Sequence, residues 1–162
     1  VQHHFDEAAA SIRRALATGR AGDAGKQVAV DVTPDELRIQ IYDAAGKPMF
    51  DPDATEPNDR ARRILAEVAP VLGRLGEPIS IVGHTDASAC LGHCRSNWDL
   101  SAARADATRA TLVAAGMPDR LVAGVAGLAD HDPLLPAQPD AAANRRVVLV
   151  VHRQAPGILP PP

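Results

Sequence analysis

Aromatic side chains are scarce in this chain, which has two Phe, one Tyr and one Trp in 162 residues. So few flat rings leave little to stack on nucleobases. A formal charge of −3 also supplies no basic stripe for a phosphate backbone, so nucleic acid is excluded as a partner. Long apolar runs are missing too: the longest, Val147 to Val151, is far short of the roughly 20 residues needed to cross a bilayer. No secretory leader pattern is visible. The chain begins with Val rather than Met, which suits a piece of a longer protein whose targeting segment lies outside it.

The length fits one domain, and a hydrophobic fraction of 46% is enough for a real core. From His3 to Thr18 the residues Phe5, Ala8 or Ala9, Ile12 and Leu16 fall near one stripe of a helix, with Gly19 as its stop. Three glycines between Gly19 and Gly25 mark a loop and a boundary. The stripe is a candidate dimer-forming or regulatory linker. Val28, Val30 and Val32 alternate, the chain turns at Thr33 to Glu36, and Leu37, Ile39 and Ile41 alternate again, predicting a hairpin with one buried face.

After a polar loop at Asp51–Asn58, the spacing of Ile64, Leu65, Val68, Val71 and Leu72 predicts a helix that ends at Gly73, with Pro70 distorting its last turn. Ile79 to Val82 reads as a buried strand. Asn97 to Ala115 reads as a helix capped by Ser96, with Asp99 completing a capping box and Trp98, Ala105 and Leu112 on one buried face. Leu121–Val125 and Arg146–His152 read as further strands, separated by a polar loop through Asp130-His131-Asp132-Pro133. Order and periodicity together give an α/β two-layer sandwich with helices packed on one face of the sheet, plus an N-terminal helix. The division is 1–25 for helix and loop, 26–153 for the domain, and 154–162 for a disordered Pro-rich tail.

Asp86 leaves the end of one strand in the run Gly83-His84-Thr85-Asp86, and Arg104 sits early on the next helix. Singly, Asp86 is explained by turn capping. Arg104, a cation near the positive end of a helix dipole, calls for a compensating carboxylate, and Asp86 is the simplest candidate. A bound ligand bridging acid and base is the other explanation. Cys90, His93 and Cys94, with His84 and Asp86, contain metal-ligating types. Their spacing matches no standard finger, so a local disulfide, two free thiols and a metal site all stay open.

Gly-His-Thr-Asp at 83–86, then Asn97-x-x-Leu100-Ser101-x-x-Arg104-Ala105, then Asn144-Arg145-Arg146-Val147, together resemble the pattern of OmpA-like peptidoglycan-binding domains. The resemblance covers residues 28–152. Within that family, Ser96 to Ser101 and Leu37 to Asp43 with Pro48-Met49-Phe50 are similar to flagellar stator subunits of the MotB type. The resemblance implies a mixed sheet of the OmpA-like kind. It also implies that Asp86 and Arg104 hold the ammonium and carboxylate of meso-diaminopimelate in the peptidoglycan stem peptide. A carboxylate suits the first and a planar guanidinium grips the second.

Thr85, Asn97, Leu100 and Ser101 belong to the same implied site, and Asn144 and one arginine of the pair Arg145 and Arg146 border it. A stator subunit of this kind implies a homodimer, a MotA-type membrane partner reached through a transmembrane segment absent here, and the periplasmic domain of a single-pass inner-membrane protein. No cofactor, metal or catalysis is implied. Other OmpA-like wall anchors, of the Pal or secretion-system type, are the alternative. A metal-dependent cell-wall hydrolase using His84, Asp86 and His93 is a more distant one.

Overall fold

A computed structural model describes residues 2–88 and 95–153. Helix α1 (Gln2–Thr18) leads through a short 3-10 turn into strands β1 (Val28–Val32) and β2 (Glu36–Tyr42). Helix α2 (Asp59–Leu75), strand β3 (Ile79–His84), helix α3 (Asn97–Ala114), strand β4 (Val122–Gly127) and strand β5 (Arg146–His152) follow. The five strands form one mixed sheet in the order β1-β2-β5-β3-β4, with only β3 and β4 parallel.

Strict alternation in β2 buries Leu37, Ile39 and Ile41 while Arg38, Gln40 and Tyr42 face away. Ile79, Ile81 and Leu149 share the buried face, and the helices cover it with Phe5, Ile12, Ile64, Leu65, Val68 and Leu112. Register places Ile41 and Gly83 on either side of Val147, and Tyr42 and His84 on either side of Arg146. The next residues, Asp43, Arg145 and Thr85-Asp86, therefore emerge together at one end of the sheet.

Three expectations are corrected. Helix α2 runs through Pro70 and Gly73 and ends at Gly76, whose left-handed φ of 70° lets its N–H reach the Leu72 carbonyl. The stripe of α1, the candidate dimer-forming or regulatory linker, is covered within the chain itself: Phe5, Ala9, Ile12 and Leu16 are buried in the same core as α2 and β2. Trp98, expected inside, is 49% exposed. It occupies the first turn of α3, where a helical side chain leans toward the N-terminus and so past the edge of the sheet.

The fit of α3 on the sheet is tight. A Cβ on Gly83 would stand 2.2 Å from the Ser101 carbonyl oxygen, and one on Gly127 2.3 Å from the Ala102 nitrogen. Those two glycines let the helix seat directly on β3 and β4, which fixes where Arg104 sits.

Candidate functional site

Asp86 is placed by the end of β3, and its carboxylate is held by two groups. Oδ1 accepts the Ser88 backbone N–H at 2.8 Å, an Asx-type turn, and Oδ2 accepts from Arg145 Nη1 at 2.5 Å. The same guanidinium donates from Nε to Asp43 Oδ2 at 2.8 Å. Asp43 in turn accepts the Met49 N–H on Oδ1 at 2.8 Å. One arginine thus links two carboxylates, and the second carboxylate anchors the loop after β2.

Burial pushes the Asp43 carboxyl above its ordinary range, with the Arg145 and Met49 hydrogen bonds pulling against it. For Arg145 burial acts to lower the pKa, but its bonds to Asp43 and Asp86 outweigh that and raise it. Asp43, Arg145 and Asp86 are thus paired with one another.

Arg104 enters the cleft from the second turn of α3. It is nearly buried, lies over the Phe50 ring with 5.0 Å from its central carbon to the ring centroid, and donates from Nε to the Ala54 carbonyl at 2.8 Å and from Nη2 to the Asp51 carbonyl at 3.3 Å. Both of these acceptors are neutral backbone oxygens. Burial lowers its pKa, and the Asp43 charge counteracts this. The compensating carboxylate expected for Arg104 was Asp86, yet Asp86 is bonded to Arg145 instead.

Asp43, Thr85, Asp86, Asn97, Leu100, Arg104 and Arg145 line one open cleft of about 440 Å³. Thr85 donates its hydroxyl to the Asp86 carbonyl at 2.9 Å, and the Asn97 amide donates to the Ser88 carbonyl at 2.9 Å. Leu100 supplies an apolar wall. Five of the six expected residues of the strand and helix motifs therefore meet at the cleft.

The remaining expected residues do other work. Ser101 is buried behind the cleft, where its hydroxyl donates to the Trp98 carbonyl and accepts the Ala129 N–H, each at 3.1 Å. Asn144, 0% exposed, does not border the cleft. Its Oδ1 accepts the Leu135 N–H and its Nδ2 donates to the Gln138 carbonyl, both at 2.8 Å, so it staples the loop before β5. Of the two arginines, Arg145 lines the cleft. Arg146 turns to the opposite sheet face, donating to the Asp132 carbonyl at 2.8 Å and to the Gln40 amide oxygen at 3.3 Å.

Asp43 is the site residue that motif spacing missed. A signal existed, since 43 continues the inward parity of 37, 39 and 41, and a carboxylate on that parity must find a partner.

His84 ends β3 beside Arg146, and its Nδ1 has no hydrogen-bond partner among the described residues. Burial, with the nearby Arg146 charge, lowers its pKa to about 4, so it is neutral at physiological pH. Among the described residues no cluster of three or more His, Cys, Asp or Glu is placed to hold a metal. Cys90, His93 and Cys94 lie outside those residues, as does the tail at 154–162.

Residues 49–146 match the OmpA family. The chain belongs to that family. It is 40% identical over 131 residues to motility protein B of Escherichia coli strain K12, an alignment covering 78% of this chain and 42% of that protein. The chain thus spans less than half of that relative. The crystal structure of a protein described as MotB like, from Desulfovibrio vulgaris, superposes with a TM-score of 0.78 over 94% of this chain and 96% of that one, at 24% identity. The cell wall anchor of the T6SS from Pseudomonas aeruginosa gives a TM-score of 0.67 over 78% and 88%, at 26% identity. In this OmpA-family domain the match spans the Phe50 loop, the β3 end, α3 and the start of β5, which are the segments that carry most of the cleft.

Proposed function

We propose that the chain binds peptidoglycan without catalysis, holding the zwitterionic centre of meso-diaminopimelate in the stem peptide, and that it anchors a MotB-type flagellar stator to the cell wall. The observation that carries this reading is the presence of Asp86 and Arg104 in one cleft, the guanidinium bonded to neutral carbonyls. A carboxylate there receives an ammonium, and the planar guanidinium receives a carboxylate. Each charged hydrogen bond contributes about 1.5–3 kcal/mol, which suits a reversible anchor. Two such domains on one polymer gain avidity with no new contact.

In this reading the chain is the periplasmic part of a single-pass inner-membrane protein that works as a homodimer with a MotA-type subunit. Identity to motility protein B supports the stator assignment. Similarity to the P. aeruginosa anchor supports a second reading, a secretion-system wall anchor with the same ligand.

Co-sedimentation with purified sacculi tests the shared core of both readings. The chain pellets with sacculi, and free stem peptide containing meso-diaminopimelate releases it. A chain that stays in the supernatant, or that the peptide does not release, contradicts the proposal.

A further inference from the structure

We infer that Asp43 sets the charge selectivity of the cleft: by drawing part of the Arg145 charge away from Asp86, it leaves Asp86 able to accept a ligand ammonium. The inference rests on the zwitterion-binding function proposed above.

Arg145 donates to Asp43 through Nε and to Asp86 through Nη1, so neither carboxylate has the guanidinium to itself. A carboxylate that monopolised the fork would have little attraction left for a second cation. The charges buried or half-buried around the cleft are Asp43 and Asp86 against Arg104 and Arg145. They cancel, as do those of a zwitterion. Asp53 lines the exposed rim of the same cleft and its charge acts on Arg104, so the balance that Asp43 sets is the local one around Arg145 and Asp86.

Without the Asp43 charge the same group sums to one positive charge, and Arg145 is free to close on Asp86. Such a cleft attracts an ammonium less. Asp43 has one carboxylate oxygen on Arg145 Nε and the other on the Met49 N–H, so its effect on a ligand passes through Arg145. It is a positioning residue.

Asparagine reproduces the shape but not the function. Its single oxygen is needed by the Met49 N–H, which turns the amide N–H₂ toward Arg145 Nε and sets donor against donor.

The test is calorimetric titration of the full chain with two probes. One is the peptide L-Ala-γ-D-Glu-meso-diaminopimelate, and the other is the same peptide acetylated on the free amine of its diaminopimelate. The parent prefers the free amine by about tenfold or more. Asp43→Asn brings that preference close to parity. Adding Arg145→Gln to Asp43→Asn returns the charge sum to zero and restores the preference, a rescue that a merely structural role for Asp43 does not give.

If Asp43→Asn weakens both peptides equally, or if the double variant is no more selective than Asp43→Asn, the inference is overturned. Should Asp43→Asn fail to fold, Arg145→Gln alone decides: both carboxylates are then bare and preference for the free amine rises, whereas an unchanged preference contradicts the inference. A parent that binds neither peptide overturns the proposed function and the inference with it. That result differs from a parent that discriminates beside an Asp43→Asn variant that discriminates equally well.

Discussion

Arg145 reaches Asp86 from Nη1 at 2.5 Å, although 59 residues separate them in the chain. The cation nearest Asp86 therefore comes from the start of β5, and the guanidinium on α3 remains bonded to backbone carbonyls. In the proposed function, a ligand entering the cleft would meet a carboxylate already oriented by one arginine and a second arginine positioned by backbone carbonyls. Pre-orientation of this kind lowers the ordering cost of binding.

Trp98 stacks at a tilt on His131, with ring centroids 4.6 Å apart, and half of its surface faces water. Trp98→Ala should therefore cost about 1.5–3 kcal/mol, from a half-covered ring and its aromatic pair, and not the ~3–5 kcal/mol of a buried Trp. Urea denaturation of the variant measures it. A loss above the upper range would mean that the ring is covered in solution.

Ile12 is fully buried between α1 and the rest of the core. Ile12→Ala should destabilise the domain by about 2–5 kcal/mol and leave its sedimentation mass unchanged. An unaltered melting temperature together with a shifted monomer–dimer equilibrium would show that the stripe packs on another chain.

His84 makes stability depend on pH. Its pKa in the fold, about 4, lies below the ordinary 6.5, so between those values the unfolded chain binds a proton that the folded one refuses. The contribution is complete above the unfolded value and declines as pH falls toward the folded one. His84→Gln should flatten the dependence of melting temperature on pH within that window. An identical slope in parent and variant would remove His84 as its source.

Local signals carried far in this sequence where one segment was enough. The alternation of Val28–Val32 and Leu37–Ile41 defined the hairpin, and Ser96 caps α3 through the Asp99 N–H at 3.1 Å, as its position implied. Two local signals misled. Gly73 looked like a stop, but Gly76, with the left-handed conformation a helix end uses, supplies it. Trp98 keeps helical phase with Ala105 and Leu112, yet phase does not reveal that the sheet ends beneath the first turn.

Partnerships across the chain were beyond periodicity. Asp43 and Arg145 are 102 residues apart, and only the sheet order that puts β2 beside β5 brings them together. Asn144 belongs to the same motif as Arg145, but it serves the loop it closes.

The most direct test of the site is the affinity of the full chain for L-Ala-γ-D-Glu-meso-diaminopimelate, measured by calorimetry for the parent and for Asp86→Asn. The substitution keeps an oxygen for the Ser88 N–H but removes the charge that receives the ammonium. Binding should weaken by about 2–5 kcal/mol while cooperative unfolding is retained. Equal affinity in parent and variant would contradict it.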